Sequence, residues 1–172
     1  MQASTYSALE TLRDGSRVEI RAVRPADRDA LLGTVARMSD ETIRRRYFAS
    51  KRHFTEREIE FYTNVDFVTH VALAAVLNGE VPATVVGGGR YVLTRPDAAE
   101  VAFAVEDAHQ GRGIGSLLMR HLAAIARESG LRELIAEVLP SNMMMLAVFQ
   151  KSGLAMSTKR EDGVVLVTLV VA

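Results

Sequence analysis

The sequence predicts one α+β domain, residues 1–172, around a mixed and mostly antiparallel sheet of about six to seven strands flanked by helices. Three observations carry that reading. The chain has 172 residues, 48% hydrophobic and 24% charged, which is enough apolar mass for one full core. β-like runs separated by short turn signals fill the middle and the end of the sequence, while helical periodicity dominates the first third and two later segments. No internal repeat, low-complexity tract or linker divides the chain.

Residues 1–14 show no periodic pattern and are expected to form a flexible or loosely packed arm. Asp14-Gly15 is a turn signal, and RVEIRAV (17–23) alternates apolar with polar residues like a half-buried strand that Pro25 ends. ADRDALLGTVARM and DETIRRRYF read as amphipathic helices, and Thr55 with Glu58 gives a capping-box start to a third, EREIEFYTN. From His70 the period changes to that of strands. HVALAAVL, ATVVGGGRYVL and AEVAFAVE are separated by Asn78-Gly79 and by Arg95-Pro96-Asp97, which predicts an antiparallel meander. The helix GIGSLLMRHLAAIARES follows, with Ile114, Leu118, Leu122 and Ile125 on one face. ELIAEVL is a further strand, SNMMMLAVFQKSG a helix closed by Gly153, and LAMSTKR with VVLVTLVV a final hairpin around Asp162-Gly163.

Composition removes several function classes. The 21 basic residues balance 21 acidic ones, so no overall field draws the chain to nucleic acid or to an acidic membrane, and any anion site must be local. No cysteine is present, which excludes disulfides, thiolate nucleophiles and thiolate metal sites. With no leader-like start and no long apolar span, a soluble cytoplasmic protein is expected. Arg44-Arg45-Arg46 with Lys51-Arg52-His53 reads as a solvated helix face or as a surface for an acidic patch on a protein substrate, not as a nucleic-acid site. His53, His70, His109 and His121 lack metal-ligand spacing, so no metal is expected. Met143-Met144-Met145 reads as helix core, and Gly87-Gly88-Gly89 as a bulge or close backbone crossing.

The densest chemical signal is QGRGIGS (110–116), three glycines between a strand and a helix. Free amides at a helix start, approached through a loop without side chains, point several N–H donors and the positive end of the helix dipole at one spot. That suits a diphosphate, to which Arg112 adds a charge-assisted contact. A dinucleotide fingerprint would need glycine where Ser116 stands, and a Walker loop would need a lysine after Gly115, so neither applies.

The run Gln110-Gly111-Arg112-Gly113-Ile114-Gly115 resembles the acyl-CoA signature of the GCN5-related N-acetyltransferases (GNAT), Q/R-x-x-G-x-G/A, and the element order from residue 17 to 172 is similar to that fold. The segment NMMMLAVFQKSGL resembles the family's second CoA-contacting helix. The resemblance implies acetyl-CoA as co-substrate, held in a groove between splayed strands. It implies that the loop amides of Gln110, Gly111, Arg112, Gly113, Ile114, Gly115 and Ser116 hold the diphosphate, that Val105 pairs with the pantetheine, and that Asn142 and Phe149 lie beside the cofactor. The stretches LRDGSRVEIRAVRPAD, RRRYFASKRHFTEREI and VDFVTHVALAAV further resemble the protein-lysine acetyltransferase (Pat-like) branch, whose members often carry a fused nucleotide-binding or synthetase-like domain and whose targets include acyl-CoA synthetases. The 172 residues hold no such domain, so a freestanding catalytic unit without cyclic-nucleotide control in cis is expected.

A lysine amine, with a pKa of about 10.4, attacks a thioester only after losing its proton, so a base or a water chain to one is required. Glu100 begins AEVAFAVE and alternates with Ala102 and Ala104, a lane of small residues open to a substrate; the resemblance makes a glutamate there the general base. Glu106 would repel the phosphates if it faced inward and is expected in solvent. Backbone N–H groups near Val105 are the expected donors to the thioester oxygen. The family's usual general acid, a tyrosine, is replaced by Phe149, which leaves water to protonate the thiolate or leaves the residue to plain packing. Three acceptor readings follow: a protein lysine, a small amine, or no acceptor at all in a silent acyl-CoA sensor.

Overall fold

The computed structural model describes residues 2–79 and 82–172. In chain order the elements are β1 (Ser7–Thr11), β2 (Arg17–Ala22), α1 (Arg28–Arg37), α2 (Asp40–Tyr47), α3 (Glu56–Thr63), β3 (His70–Leu77), β4 (Thr84–Arg95) and β5 (Ala98–Val105). They continue with α4 (Ile114–Glu128), β6 (Glu133–Val138), α5 (Met143–Gln150), β7 (Ala155–Glu161) and β8 (Val164–Val170). The described residues form an eight-stranded sheet in the order β1-β2-β3-β4-β5-β6-β8-β7, antiparallel throughout except where β5 meets β6.

The strand count exceeds the expected six to seven because residues 7–11, read as part of a loose arm, pair with β2 from Ser7↔Arg21 to Thr11↔Arg17. An edge strand needs only backbone pairing, and SALET alternates half-buried with exposed residues too briefly to register as a pattern. Side chains fasten it as well: His121 on α4 donates from Nε2 to Glu10 at 2.8 Å, and its Nδ1 accepts from the Tyr6 hydroxyl.

Strand β3 is buried along almost its whole length because the sheet is covered on both faces. Val71, Leu73 and Ala75 join the large core under α4, whereas Ala72, Ala74 and Val76 join a smaller one with Val23, Val85 and, from α1, Ala30 and Leu31. Helix α4 buries Ile114, Leu118, Leu122 and Ile125 on that larger core, as its period predicts. The glycine triplet of β4 marks a real crossing. The ladder with β3 shifts register between Ala75 and Val76, and a Cβ on Gly89 would stand 2.9 Å from Leu122 Cδ1. A Cβ on Gly87 would stand 2.9 Å from the Ala104 carbonyl oxygen, so only glycine lets β5 lie this close.

Among the described residues no helix is long and apolar enough to cross a membrane.

Candidate active site

Strand β5 pairs with β6 only from Ala98↔Glu133 to Glu100↔Ile135. Beyond that point β6 continues along β8 while β5 stays with β4, so the two edges diverge and leave a V-shaped opening. Glu100, Phe103, Glu137, Asn142 and Phe149 line a cavity of about 450 Å³ in the fork. Toward the end of β5 it meets a cleft of about 940 Å³ walled by β5, the glycine loop, α4 and α5.

The glycine loop owes its path to two left-handed positions, Gly111 at φ +75° and Gly113 at φ +94°. Gly113 caps α4, whose first ladder bond runs from the Leu117 amide to the Gly113 carbonyl at 3.0 Å. The amides of Ile114, Gly115 and Ser116 precede that bond, and all three residues line the cleft. Gly115 differs from its neighbours: a Cβ there would meet Val148 Cγ2 at 3.6 Å and Phe103 Cε2 at 3.7 Å, ordinary contacts that the protein itself tolerates.

The Arg112 side chain, expected to add a contact to the diphosphate, is spent elsewhere, and the Gln110 side chain braces the loop while the residue still lines the cleft. Arg112 donates to Asp14 Oδ2 at 2.9 Å, Ser16 Oγ at 2.6 Å and His109 Nδ1 at 2.7 Å, locking the loop to the β1–β2 turn instead of reaching into the cleft. Gln110 donates through Nε2 to the Val105 carbonyl at 3.0 Å and to Thr42 Oγ1 at 3.2 Å, bracing the end of β5 against α2. The Val105 carbonyl is thereby occupied, though Val105 still lines the cleft. Asp107 completes the brace by accepting from the Ser39 amide at 2.8 Å and its hydroxyl at 2.7 Å. Partial burial opposes that charge, but the bonds from Ser39 and Thr42 hold the carboxyl below its ordinary range.

Glu106 is not in solvent. It is 7% exposed and turned beneath α1, where Arg37 Nε donates to it at 3.0 Å. It is committed to Arg37 of α1 and does not line the cleft.

Glu100 stands exposed on β5 opposite Val92 and borders the fork, with no hydrogen-bond or ion-pair partner among the described residues. Asn142 is 6% exposed and caps α5, its Oδ1 accepting from the Met145 amide at 3.2 Å. Phe149 is 1% exposed and packs edge-on against Phe103 with centroids 5.6 Å apart, at the floor of the fork. The methionine run is core only at its end: Met143 and Met144 are 68% and 49% exposed, Met145 packs half-buried against the larger core, and Met144 with Met145 forms a wall of the cleft.

Sequence reasoning missed the cations. Arg13, Arg45, Arg46 and Lys151 all line the cleft, and no carboxylate does among the described residues. Arg45 pairs with Glu41 at 2.6 Å, yet its buried Nε has no partner. Arg46 rests over the Tyr47 ring at 4.8 Å and borders the cleft, the fork and a third cavity behind β4 and β5. Only Arg45 and Arg46 left a trace in the sequence, as part of a basic run; nothing local marks Arg13, which the fold delivers from a distant turn. Among the described residues no cluster of His, Asp and Glu suits a metal ion.

A mixed sheet forked between two parallel neighbours, with a helix N-terminus at the opening, is the GNAT fold. The family model described as "Acetyltransferase (GNAT) family" matches residues 36–154, and the chain belongs to that family. It is 35% identical over 157 residues to "Acetyltransferase Pat" of Mycolicibacterium smegmatis, covering 90% of this chain and 46% of that protein. The crystal structure of the GNAT domain of S. lividans PAT superposes with a TM-score of 0.86 at 38% identity, covering 95% of this chain and 96% of that one. A cAMP-binding acyltransferase from Mycobacterium smegmatis superposes with a TM-score of 0.68 at 30% identity, covering 99% of this chain and 48% of that one. The chain thus spans about half the length of these two mycobacterial relatives.

Proposed function

We propose that the chain is an N-acetyltransferase that moves an acetyl group from acetyl-CoA to a primary amine, the ε-amine of a protein lysine. The observation that carries this reading is the cleft itself: three free helix amides and four cationic side chains face a space that no carboxylate lines among the described residues, and that space runs into the fork beside Glu100. A polyanion with two linked phosphates suits those donors, and a thin pantetheine arm suits the unpartnered edge of β5.

Bound acetyl-CoA supplies a thioester carbonyl that an unprotonated amine converts to an amide, releasing the CoA thiol. The amides of Ile114, Gly115 and Ser116 hold the phosphates, and Arg13 adds charge from the side. Asn142 and Met145 confine the arm. Glu100, free of other partners among the described residues, accepts the amine's proton through water. Backbone N–H groups of β5 near Val105 steady the carbonyl oxygen. Phe149 has no proton to give, so water protonates the departing thiolate.

The likeness to Pat favours a protein acceptor, and an acyl-CoA synthetase is the acceptor to try first. Incubation with labelled acetyl-CoA and such a synthetase, and in parallel with a host lysate, followed by mass spectrometry, is expected to show labelled lysines. Label on polyamines or other small amines alone would overturn the lysine reading, and no label on any acceptor would overturn the enzymatic one.

A further inference from the structure

A cavity of about 680 Å³ lies on the α1–α3 side of β4 and β5, and the cleft described above does not account for it. Its floor is Gly87, Gly88, Ala102 and Ala104, with Gly88 opposite Ala104 across the two strands and almost no side chain to fill the space. It meets the cleft at Ala104 and Arg46, so a molecule entering from this side reaches the end of β5 from the opposite direction. Tyr47, Phe54 and Tyr62 form an aromatic wall with edge-to-face contacts.

The charge of this cavity is one-sided. Arg90 lies partly buried in its lining, the guanidinium 4.5 Å from the centre of the Tyr62 ring. Its hydrogen bonds go to His70 Nε2 at 2.9 Å and the Tyr62 carbonyl at 3.3 Å, both uncharged acceptors. Burial and the nearby Arg46 charge lower its pKa to about 10, and burial lowers that of His70 to about 4, so His70 is neutral and does not add to the charge. Arg46 has no ion-pair partner among the described residues, and the remaining cation of the lining, Arg28, is already held by Glu56 at 2.8 Å. No carboxylate lines the cavity among the described residues. A guanidinium has five N–H donors, and enclosing it without an anion is costly unless a ligand supplies one.

We propose that this second cavity receives the acetyl acceptor, and that an acidic side chain close to the target lysine enters it to pair with Arg90 and Arg46. The inference rests on the lysine reading above and adds a sequence preference to it. Ala104 faces Gly88 and Ala102 faces Arg90 across the ladder. The point where the two cavities meet, at Ala104, and the strand position of Arg90 are therefore two residues, or roughly 7 Å, apart along β5. An amine at the first point and a carboxylate at the second fit a lysine with Asp or Glu within a residue or two.

The test uses two synthetic peptides with one lysine each, identical but for Glu or Gln beside it, assayed with acetyl-CoA and the full chain. For the wild-type protein, kcat/KM is expected to be at least about tenfold higher for the Glu peptide, carried by KM, as for a charge-assisted pair. In Arg90→Gln that preference is expected to vanish, while CoA titrated calorimetrically still binds and so reports a folded protein. Equal use of both peptides by the wild type would overturn the proposal without any variant, as would a preference that survives in Arg90→Gln. Failure to acetylate either peptide while CoA binds would instead sink the lysine reading. Acetylation of free amino acids alone, with the same dependence on Arg90, would uphold the carboxylate pairing and assign it to a small acceptor.

Discussion

Gly113 offers a perturbation whose two consequences separate cleanly. At φ +94° and ψ 3° it caps α4 in a left-handed conformation, and a Cβ there would meet nothing nearer than Arg13 Nε at 3.8 Å. Gly113→Ala therefore costs backbone strain and no collision, about 1–2 kcal/mol. In a chain of this size that lowers the melting temperature by about 2–8 °C. Gly113→Asp is milder for the backbone, since aspartate tolerates the left-handed region better, but it puts a negative charge at the anion site. A carboxylate about 5 Å from a phosphate, at an effective dielectric constant near 20, costs about 3 kcal/mol, or roughly a hundredfold in affinity. Calorimetric titration with CoA is thus expected to show the larger loss for the variant with the smaller thermal shift, and salt is expected to relieve the Asp penalty but not the Ala one. Unchanged affinity in Gly113→Asp at low salt would refute the placement of the phosphates at the start of α4.

Other perturbations address chemistry and stability. Glu100→Gln is expected to lower turnover of a lysine substrate at neutral pH by about 10²–10⁴-fold while leaving CoA affinity intact, measured by thiol release and calorimetry; undiminished turnover would remove Glu100 from the mechanism. Phe149→Tyr places a hydroxyl in a site 1% exposed against Phe103, so it should cost about 1–3 kcal/mol in a urea melt and leave kcat within about twofold; a rise of about tenfold or more would show that thiolate protonation limits the rate. Burial first, and then the Arg90 charge, depress the His70 pKa from 6.5 to about 4, so the unfolded chain binds the extra proton between those values. Stability is therefore expected to rise with pH across that window, to fall as the solution is acidified through it, and to lose this dependence in His70→Asn, as followed by urea denaturation at several pH values. Asp66, lowered to about 2, adds stability above its ordinary 3.8 that is lost only on further acidification.

Much of this architecture is legible because it is local. The run HVALAAVL is apolar at every position but the first because both faces of β3 are covered, and the glycines at 111 and 113 announce left-handed turns that no other residue adopts as readily. What stays hidden depends on partners distant in sequence. Strand β1 is held by backbone pairing and by His121, more than a hundred residues away, so SALET carries no signal of its own. Arg112 looks like a phosphate ligand until Asp14 and Ser16 are brought beside it, and Arg13 looks like nothing until the same turn carries it to the cleft. A charge beside a phosphate loop repels, which argues for Glu106 in solvent; α1 instead reaches it with Arg37. Apolar residues walling a cleft are written like core residues, which is why Met143 and Met144 mislead.

The position of Arg46 at the border of all three cavities carries a thermodynamic consequence. Two negatively charged guests that draw on one guanidinium interfere, since each weakens the field the other feels. Linkage makes that interference reciprocal: whatever factor the first guest imposes on the second, the second returns in full. A shared cation of this kind sets the traffic between the two entrances, so that neither is filled in ignorance of the other.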